Sequence, residues 1–211
     1  MAIDSDVGAW TILSTTDAFQ TEDGPGRWLY AVDVQARYFD PGSGANQYLV
    51  RPGIGYDLGN SLSVWAGYAR IRSRNQAGRV ADENRYWQQL SWTTGRWGKG
   101  KVTMRTRLEE RSVSVGNDTG VVLRFLTKYT QPIGQNGGMG LILSLEPFVD
   151  LRDTDWGGQS GLGQNRASIG IEWRLSDKLN IETGYMNQFI FADSGSDRMN
   201  HLGIVNFKMK F

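Results

Sequence analysis

Apolar and polar residues alternate with a period of two along most of this chain. The clearest case is residues 101–111, where one face is mainly apolar and the other is charged. The first face carries Val102, Met104, Thr106 and Leu108, and the second carries Thr103, Arg105, Arg107, Glu109 and Arg111. A period of two predicts a β-strand with two unlike faces.

Ten segments of this kind follow one another from residue 28 onward, joined by connections of hairpin length. They cover residues 28–39, 47–58, 61–71, 84–93, 101–111, 121–130, 139–151, 166–175, 179–191 and 200–211. The least regular is 84–93, because Trp87 lies on its polar face and Gln88 on its apolar face. Consecutive strands with short connections form an antiparallel meander, which loses its exposed edges when it closes. We therefore predict one all-β domain over residues 1–211, a closed up-and-down antiparallel barrel of ten strands, with twelve as the alternative.

The N-terminal segment 1–26 has no certain place in this barrel. Residues 7–19 resemble a strand, but an eleventh strand would make the count odd and put the chain ends on opposite sides. Two arrangements avoid this: an N-terminus tucked inside or below ten strands, or a further pairing that gives twelve.

The direction of the apolar faces separates a membrane barrel from a soluble one. In a lipocalin-like barrel or a sandwich, the apolar face points inward. Here Trp28 and Tyr38 lie ten residues apart on one face. At about 3.3 Å per residue and a tilt of about 40°, that spacing projects to roughly 25 Å, the height of the apolar band of a membrane barrel. We predict a transmembrane barrel with a lipid-facing apolar exterior and a charged lumen, with the soluble barrel as the alternative.

The charged faces contain both signs, so we expect them to form ion pairs inside the lumen, where unpaired charges are costly. The predicted members of this lumen-lining network are Arg105, Arg107, Glu109, Arg111, Arg124, Lys128, Glu146, Asp150, Glu172 and Arg174. Barrels of this size are largely filled by side chains. The predicted function is a structural role or a narrow pore, in which the arginines would favour anions.

The connections suggest which end of the barrel faces outward. Tight turns at 59–60 and 176–178 alternate with long loops at 73–83 and 152–165, as in outer-membrane barrels. Basic residues gather near the first long loop: Arg70, Arg72, Arg74 and Arg79. They are either solvated loop charges or a site for the anionic head groups of outer-leaflet glycolipid. A further alternative is a scaffold or adhesion barrel that binds a protein partner through its long loops.

Composition excludes several kinds of chemistry. The chain has no cysteine, and its 23 basic and 22 acidic residues give a net charge of +1, so neither thiolate chemistry nor nucleic-acid binding is expected. Asp150, Asp153 and Asp155 do not have the spacing of a calcium loop. The Gly-Gly pairs at 137–138 and 157–158 lack the lysine of a phosphate-binding loop. We expect no metal and no cofactor.

His201 is the only histidine, so a lipid- or glycolipid-modifying enzyme of the Ser-His or Asp-His kind would have to use it. Candidate partners nearby are Ser194, Ser196 and Asp197, at spacings that imply no triad. The simpler interpretation is an interfacial histidine without a catalytic role, and we assign no catalytic residue.

Short motifs occurring in order resemble a known family. They are Trp10, Arg51-Pro52-Gly53-Ile54-Gly55-Tyr56, Trp65-Ala66-Gly67-Tyr68, Arg85-Tyr86-Trp87-Gln88-Gln89 and Arg107-Leu108-Glu109-Glu110-Arg111. The chain thereby resembles DUF2490, a family of outer-membrane barrels without an assigned activity. The resemblance implies a bacterial outer-membrane location and a barrel fold, and it implies no chemistry.

Two features of the chain ends fit this location. The last strand ends in Phe211 and looks like the signal that the barrel-assembly machinery recognises during insertion. Residues 1–5 fit a mature N-terminus whose signal peptide has been removed, although they equally fit a cytosolic chain with its natural methionine.

Overall fold

The structure is a computed structural model that describes residues 3–39, 44–134, 138–192 and 195–211. Eleven β-strands make up the described chain. They are β1 (Ile3–Thr21), β2 (Gly24–Phe39), β3 (Ala45–Gly59), β4 (Leu62–Arg74), β5 (Val80–Trp97), β6 (Gly100–Val113), β7 (Thr119–Ile133), β8 (Met139–Asp150), β9 (Gly161–Arg174), β10 (Leu179–Ile190) and β11 (Asp197–Met209). The described residues form no helix that is long and apolar enough to cross a membrane.

The strands form one closed barrel in sequence order, and β1 completes it between β2 and β11. β1 runs antiparallel to β2 and parallel to β11, with Ile3–Thr15 paired to Asp197–Met209. The predicted count of ten, and the alternative of twelve, are therefore wrong. An even count follows only if every neighbouring pair is antiparallel, whereas an odd number of strands closes through one parallel pair.

The connections differ between the two ends of the barrel. One end, here called the turn end, carries connections 22–23, 60–61, 98–99, 134–138 and 175–178. The loop end carries connections 40–44, 75–79, 114–118, 151–160 and 191–196. In the two-residue connection 60–61, Asn60 and Ser61 have φ angles of 52° and 60°, the backbone of a type I′ turn. The predicted long loop 73–83 is shorter than expected, because β4 and β5 extend into it.

Burial follows the charged faces of the strands rather than the apolar ones. Eight polar or charged side chains are buried inside the barrel: Gln35, Arg37, Arg107, Glu109, Arg124, Glu146, Gln188 and Asn200. Large apolar side chains on the opposite parity are exposed, among them Val50, Ile54, Leu90, Met104, Phe125, Leu145 and Ile169. The barrel thus has a charged lumen and an apolar outer surface.

A small apolar cluster fills part of the lumen near the loop end. Leu49, Ala69 and Ile71 pack together there on β3 and β4, and Leu202 of β11 is equally buried. Between this cluster and the turn end the interior is mainly polar and is occupied by charged side chains.

Candidate functional site

Glu109 lies at the centre of the charged lumen and is only 1% exposed. The alternation of β6 points it inward, together with Arg107 and Arg111 on either side. Its Oε1 is 2.5 Å from Nη1 of Arg124 and its Oε2 is 2.6 Å from Nη2 of Arg111. Arg85 and Arg107 approach the same carboxylate at 3.3 Å and 3.6 Å. One carboxylate therefore links guanidinium groups from β5, β6 and β7.

A second buried carboxylate extends this arrangement toward β8. Glu146 is 2.6 Å from Nη2 of Arg105 and 2.8 Å from Nη2 of Arg124. Arg124 therefore bridges Glu109 and Glu146. Buried ion pairs of this kind are costly to break, since removing one partner leaves a buried charge uncompensated.

Aromatic rings cover the arginines and connect opposite parts of the wall. Arg124 and Arg166 lie 4.2 Å and 4.6 Å from the ring of Phe148. Arg166 also lies 4.8 Å from the ring of Trp10, over which Arg37 is placed at 4.2 Å. These cation–π contacts join side chains of β8 and β9 to side chains of β1 and β2. We call the assembly the central layer: Arg37, Arg85, Arg105, Arg107, Glu109, Arg111, Arg124, Glu146 and Arg166 with Trp10, Trp87 and Phe148.

Trp87 explains the irregular polarity of the predicted strand 84–93. Its indole points into the lumen, where Arg107 lies 4.5 Å from the ring. Gly53 and Gly67 are register partners on β3 and β4, and a Cβ atom at either one would overlap this indole. The two glycines therefore leave the space that the inward tryptophan occupies.

A separate charged group lies closer to the turn end. Nζ of Lys128 is 2.5 Å from Glu182, and Lys208 pairs with both Glu182 and Glu172. Arg174 lies in the same region without an ion pair to any described residue. Among the predicted network residues, Lys128, Glu172 and Arg174 thus belong to this second group, and six others belong to the central layer.

Asp150, the remaining predicted member, is placed differently. It lines a loop-end cavity of about 510 Å³ together with Arg111 and forms no ion pair with a described residue. That cavity shares no lining residue with the cavities on the turn side of the central layer.

Several lumen residues were not among the predicted network. They are Asp33, Arg37, Arg51, Glu83, Arg85, Arg166, Glu182 and Lys208. All lie on the inward face of their strands, so the alternation of residues along each strand was the signal that could have found them. Which of them touch was not in the sequence, because most of the contacts join different strands and depend on their register.

The arginines near the first predicted loop lie on the outer surface. Arg70, Arg72 and Arg74 are exposed on the outward face of β4 as it approaches the loop end. Arg72 is the register partner of the outward Tyr48, and Arg70 is 3.2 Å from Asp82. Arg79 is exposed in the adjoining hairpin. Three cationic side chains are therefore exposed on the barrel exterior, and one of them, Arg72, lies beside an aromatic residue.

His201 also points outward, and its partner is a tyrosine. Its Nδ1 is 2.6 Å from the hydroxyl of Tyr185, and the two rings stack. Asp197 accepts a hydrogen bond from the main chain of Ala192. Ser194 lies outside the described residues. Among the described residues, no serine or aspartate is hydrogen-bonded to His201.

The acidic residues of connection 151–160 accept hydrogen bonds from main-chain N–H groups. Asp155 accepts hydrogen bonds from N–H of Asn117 at 2.8 Å and N–H of Asp118 at 3.2 Å. These two donors lower the pKa of the Asp155 carboxyl below its usual range. Asp153 accepts a hydrogen bond from N–H of Ser160, which lowers its pKa in the same way. Among the described residues there is no cluster of potential metal ligands.

Fold and interior together define a closed β-barrel in which polar groups face inward and apolar groups face outward. Residues 7–200 match the family described as a protein of unknown function, DUF2490. The chain belongs to this family, which confirms the resemblance carried by its motifs. A protein of Methylorubrum extorquens described as uncharacterised is 32% identical over 183 residues, covering 86% of this chain and 80% of that protein. No solved structure matches the chain significantly.

Proposed function

We propose that this protein is a structural barrel of the bacterial outer membrane, with a lumen closed by the central layer. The observation that carries the proposal is the inverted polarity of the barrel. Large apolar side chains cover the outer surface, while charged groups fill the interior. Contiguous apolar surfaces beyond a few hundred Å² are rare on soluble monomers and are typical of membrane contact. A closed barrel also satisfies its backbone hydrogen bonds without water, as a lipid environment requires.

Outward aromatic residues support the same placement. Trp28 contacts Tyr56 near the turn end, with ring centroids 5.2 Å apart. Tyr38 contacts Tyr48 near the loop end, with centroids 6.4 Å apart. Two such levels on the exterior are typical of the aromatic girdles at membrane interfaces. Phe211, 74% exposed beyond the end of β11, is the proposed signal for the assembly machinery.

The closed lumen favours a structural role over a narrow pore. Arg107, Glu109 and Arg124 are at most 4% exposed, and aromatic rings pack against the arginines. Hydrated ions would have to break these pairs in order to pass. We expect planar bilayers containing the purified barrel to show no channel steps. Stepwise conductance of the wild-type protein would instead support a narrow pore.

Membrane insertion is tested by electrophoresis and fractionation. The protein expressed with a secretion signal should sediment with outer membranes and require detergent for extraction. Unheated samples should migrate differently from boiled ones on a denaturing gel, because a folded barrel resists unfolding in detergent. Recovery of a folded, monomeric protein in detergent-free buffer would contradict the proposal and support the soluble barrel.

A second proposal concerns the lipid partner. We propose that Arg70, Arg72 and Arg74 bind phosphate groups of outer-leaflet glycolipid at the loop end. Their exposure on the outward face beside Tyr48 supports this, since lipid phosphates lie at the level of interfacial aromatic residues. The triple variant R70Q/R72Q/R74Q should retain less phosphorylated glycolipid after purification and bind it more weakly in nanodiscs. Equal binding of the phosphorylated and dephosphorylated glycolipid by the wild type would refute it.

A further inference from the structure

The lumen on the turn side of the central layer opens into a cavity of about 930 Å³. We call this cavity the turn-end vestibule. Six charged side chains line it: Lys99, Lys101, Lys128, Glu172, Arg174 and Lys208. Two inward glycines, Gly138 and Gly140, also line it and leave part of the wall without side chains. The vestibule therefore has room for a small molecule and a strong excess of positive charge.

The positive charge of the vestibule is only partly neutralised. Glu182 and Glu172 pair with Lys128 and Lys208, as described above. Lys99, Lys101 and Arg174 form no ion pair with any described residue. Three cationic groups from the β5–β6 turn, β6 and β9 thus surround one opening without a counter-charge.

The floor of the vestibule supplies one further unpaired donor. A cavity of about 480 Å³ lies deeper in the lumen, and Thr103 and Lys208 line both cavities. Arg105 and Arg107 line the deeper cavity. Nε of Arg105 is buried and donates no hydrogen bond to a described residue, whereas Nη1 of Arg107 lies 3.6 Å from the carboxylate of Glu109.

Unpaired buried donors are uncommon in folded proteins, and each one implies a partner such as water or an ion. Threonine hydroxyls add neutral donors around the opening, from Thr93, Thr103 and Thr130. Ammonium and guanidinium groups together with hydroxyls are the groups that bind phosphate and carboxylate oxygens. Because several cations are uncompensated, a ligand with more than one negative charge fits better than a monovalent ion.

We infer that the turn-end vestibule is a binding site for a multivalent oxyanion of the phosphate or carboxylate kind. Lys99, Lys101 and Arg174 hold the anion at the opening, and Nε of Arg105 is an unpaired donor deeper along the same path. The site needs only the folded barrel and does not depend on a membrane location. A negative binding result would therefore not contradict the proposed membrane location, and a soluble barrel would not contradict the binding site.

Isothermal titration of the full-length, detergent-purified barrel with pyrophosphate tests this inference. The wild type should bind pyrophosphate with an affinity that falls as salt concentration rises. K99Q/K101Q/R174Q should bind it about tenfold more weakly or worse, because hydrogen bonds between charged groups are replaced by neutral ones. Gel migration before and after heating shows that each variant is folded.

The matched control is R27Q/R152Q/R198Q, which removes the same amount of charge from exposed positions that line neither the vestibule nor the deeper cavity. Its pyrophosphate affinity should equal that of the wild type. Equal weakening in both triple variants, or no binding to the wild type, would overturn the inference. Displacement of pyrophosphate by citrate would show that carboxylates share the site, whereas no displacement would support a site restricted to phosphates.

Discussion

At the scale of single residues, the charged interior depends most on Glu109. Its carboxylate contacts four arginines from three adjacent strands, and the nearest distances are 2.5 Å and 2.6 Å. Neighbouring guanidinium groups repel one another unless a carboxylate lies between them. The packing of these four arginines therefore depends on this negative charge.

Glu109→Gln should destabilise the barrel by about 3 kcal/mol or more, because it leaves buried arginines without their counter-charge. The midpoint of urea unfolding in detergent, followed by tryptophan fluorescence, measures the loss. Glu110→Gln is the matched control, since Glu110 is the next residue along β6 and is exposed on the outer face. Equal effects of the two substitutions would show that Glu109 has no special role.

Parity indicated the inward direction of Glu109 and its arginine neighbours. It did not indicate that Arg124 bridges Glu109 and Glu146, or that Asp150 lies apart from both. Those distinctions depend on strand register and tilt, which set the heights of side chains from different strands. Alternation along one strand contains no information about either.

At the scale of elements, connection 151–160 is attached to the turn between β6 and β7. Asp155 accepts the N–H groups of Asn117 and Asp118, and Nε1 of Trp156 donates to the carbonyl of Asp118 at 2.8 Å. Gly116 and Gly120 provide space for Trp156, because a Cβ atom at either would lie within 2.7 Å of its ring. The sequence predicted a long loop here, but its acidic residues gave no sign of this contact.

Acidification should release this connection. The folded-state pKa of Asp155 is lowered, so its contribution to stability is fully present above the unfolded value of about 3.9. That contribution is lost as pH falls through the lowered folded pKa. The hydrogen-exchange protection factors of the Asn117 and Asp118 amides should therefore drop at strongly acidic pH.

Asp155→Asn should reduce the same protection factors at neutral pH. Asp153→Asn is a control on the same connection, and it should affect the Ser160 amide instead. Protection of Asn117 and Asp118 that is unchanged in Asp155→Asn would contradict the assigned contact.

At the scale of the whole molecule, the parallel pair β1–β11 decides how the barrel closes. Thr11 pairs with Val205 and Thr15 with Met209, all four on the outward face. Inside the barrel, Ser14 donates a hydrogen bond of 2.9 Å to Asn206 across the same seam. The chain ends consequently lie at opposite ends of the barrel.

Cysteine cross-linking tests this closure, and the natural absence of cysteine gives a clean background. The pairs T11C/V205C and T15C/M209C should both form disulfides, because adjacent strands lie about 4.8 Å apart and disulfides bridge about 4.4–6.8 Å between Cα atoms. V7C/M209C should not cross-link, since parallel pairing separates these positions by about 26 Å along the strands. Cross-linking of V7C/M209C alone would indicate antiparallel closure.

The amino-acid sequence alone determined that the chain folds as successive strands, each with one charged and one apolar face. It did so because side-chain direction along a strand depends only on the local backbone. The tertiary structure decided the direction of β1 beside β11, the strand count of eleven and the separation of the charged residues into the central layer and the turn-end group. These features depend on which distant strands are neighbours and in what register. A strand's own alternation is the same whether its neighbour runs parallel or antiparallel.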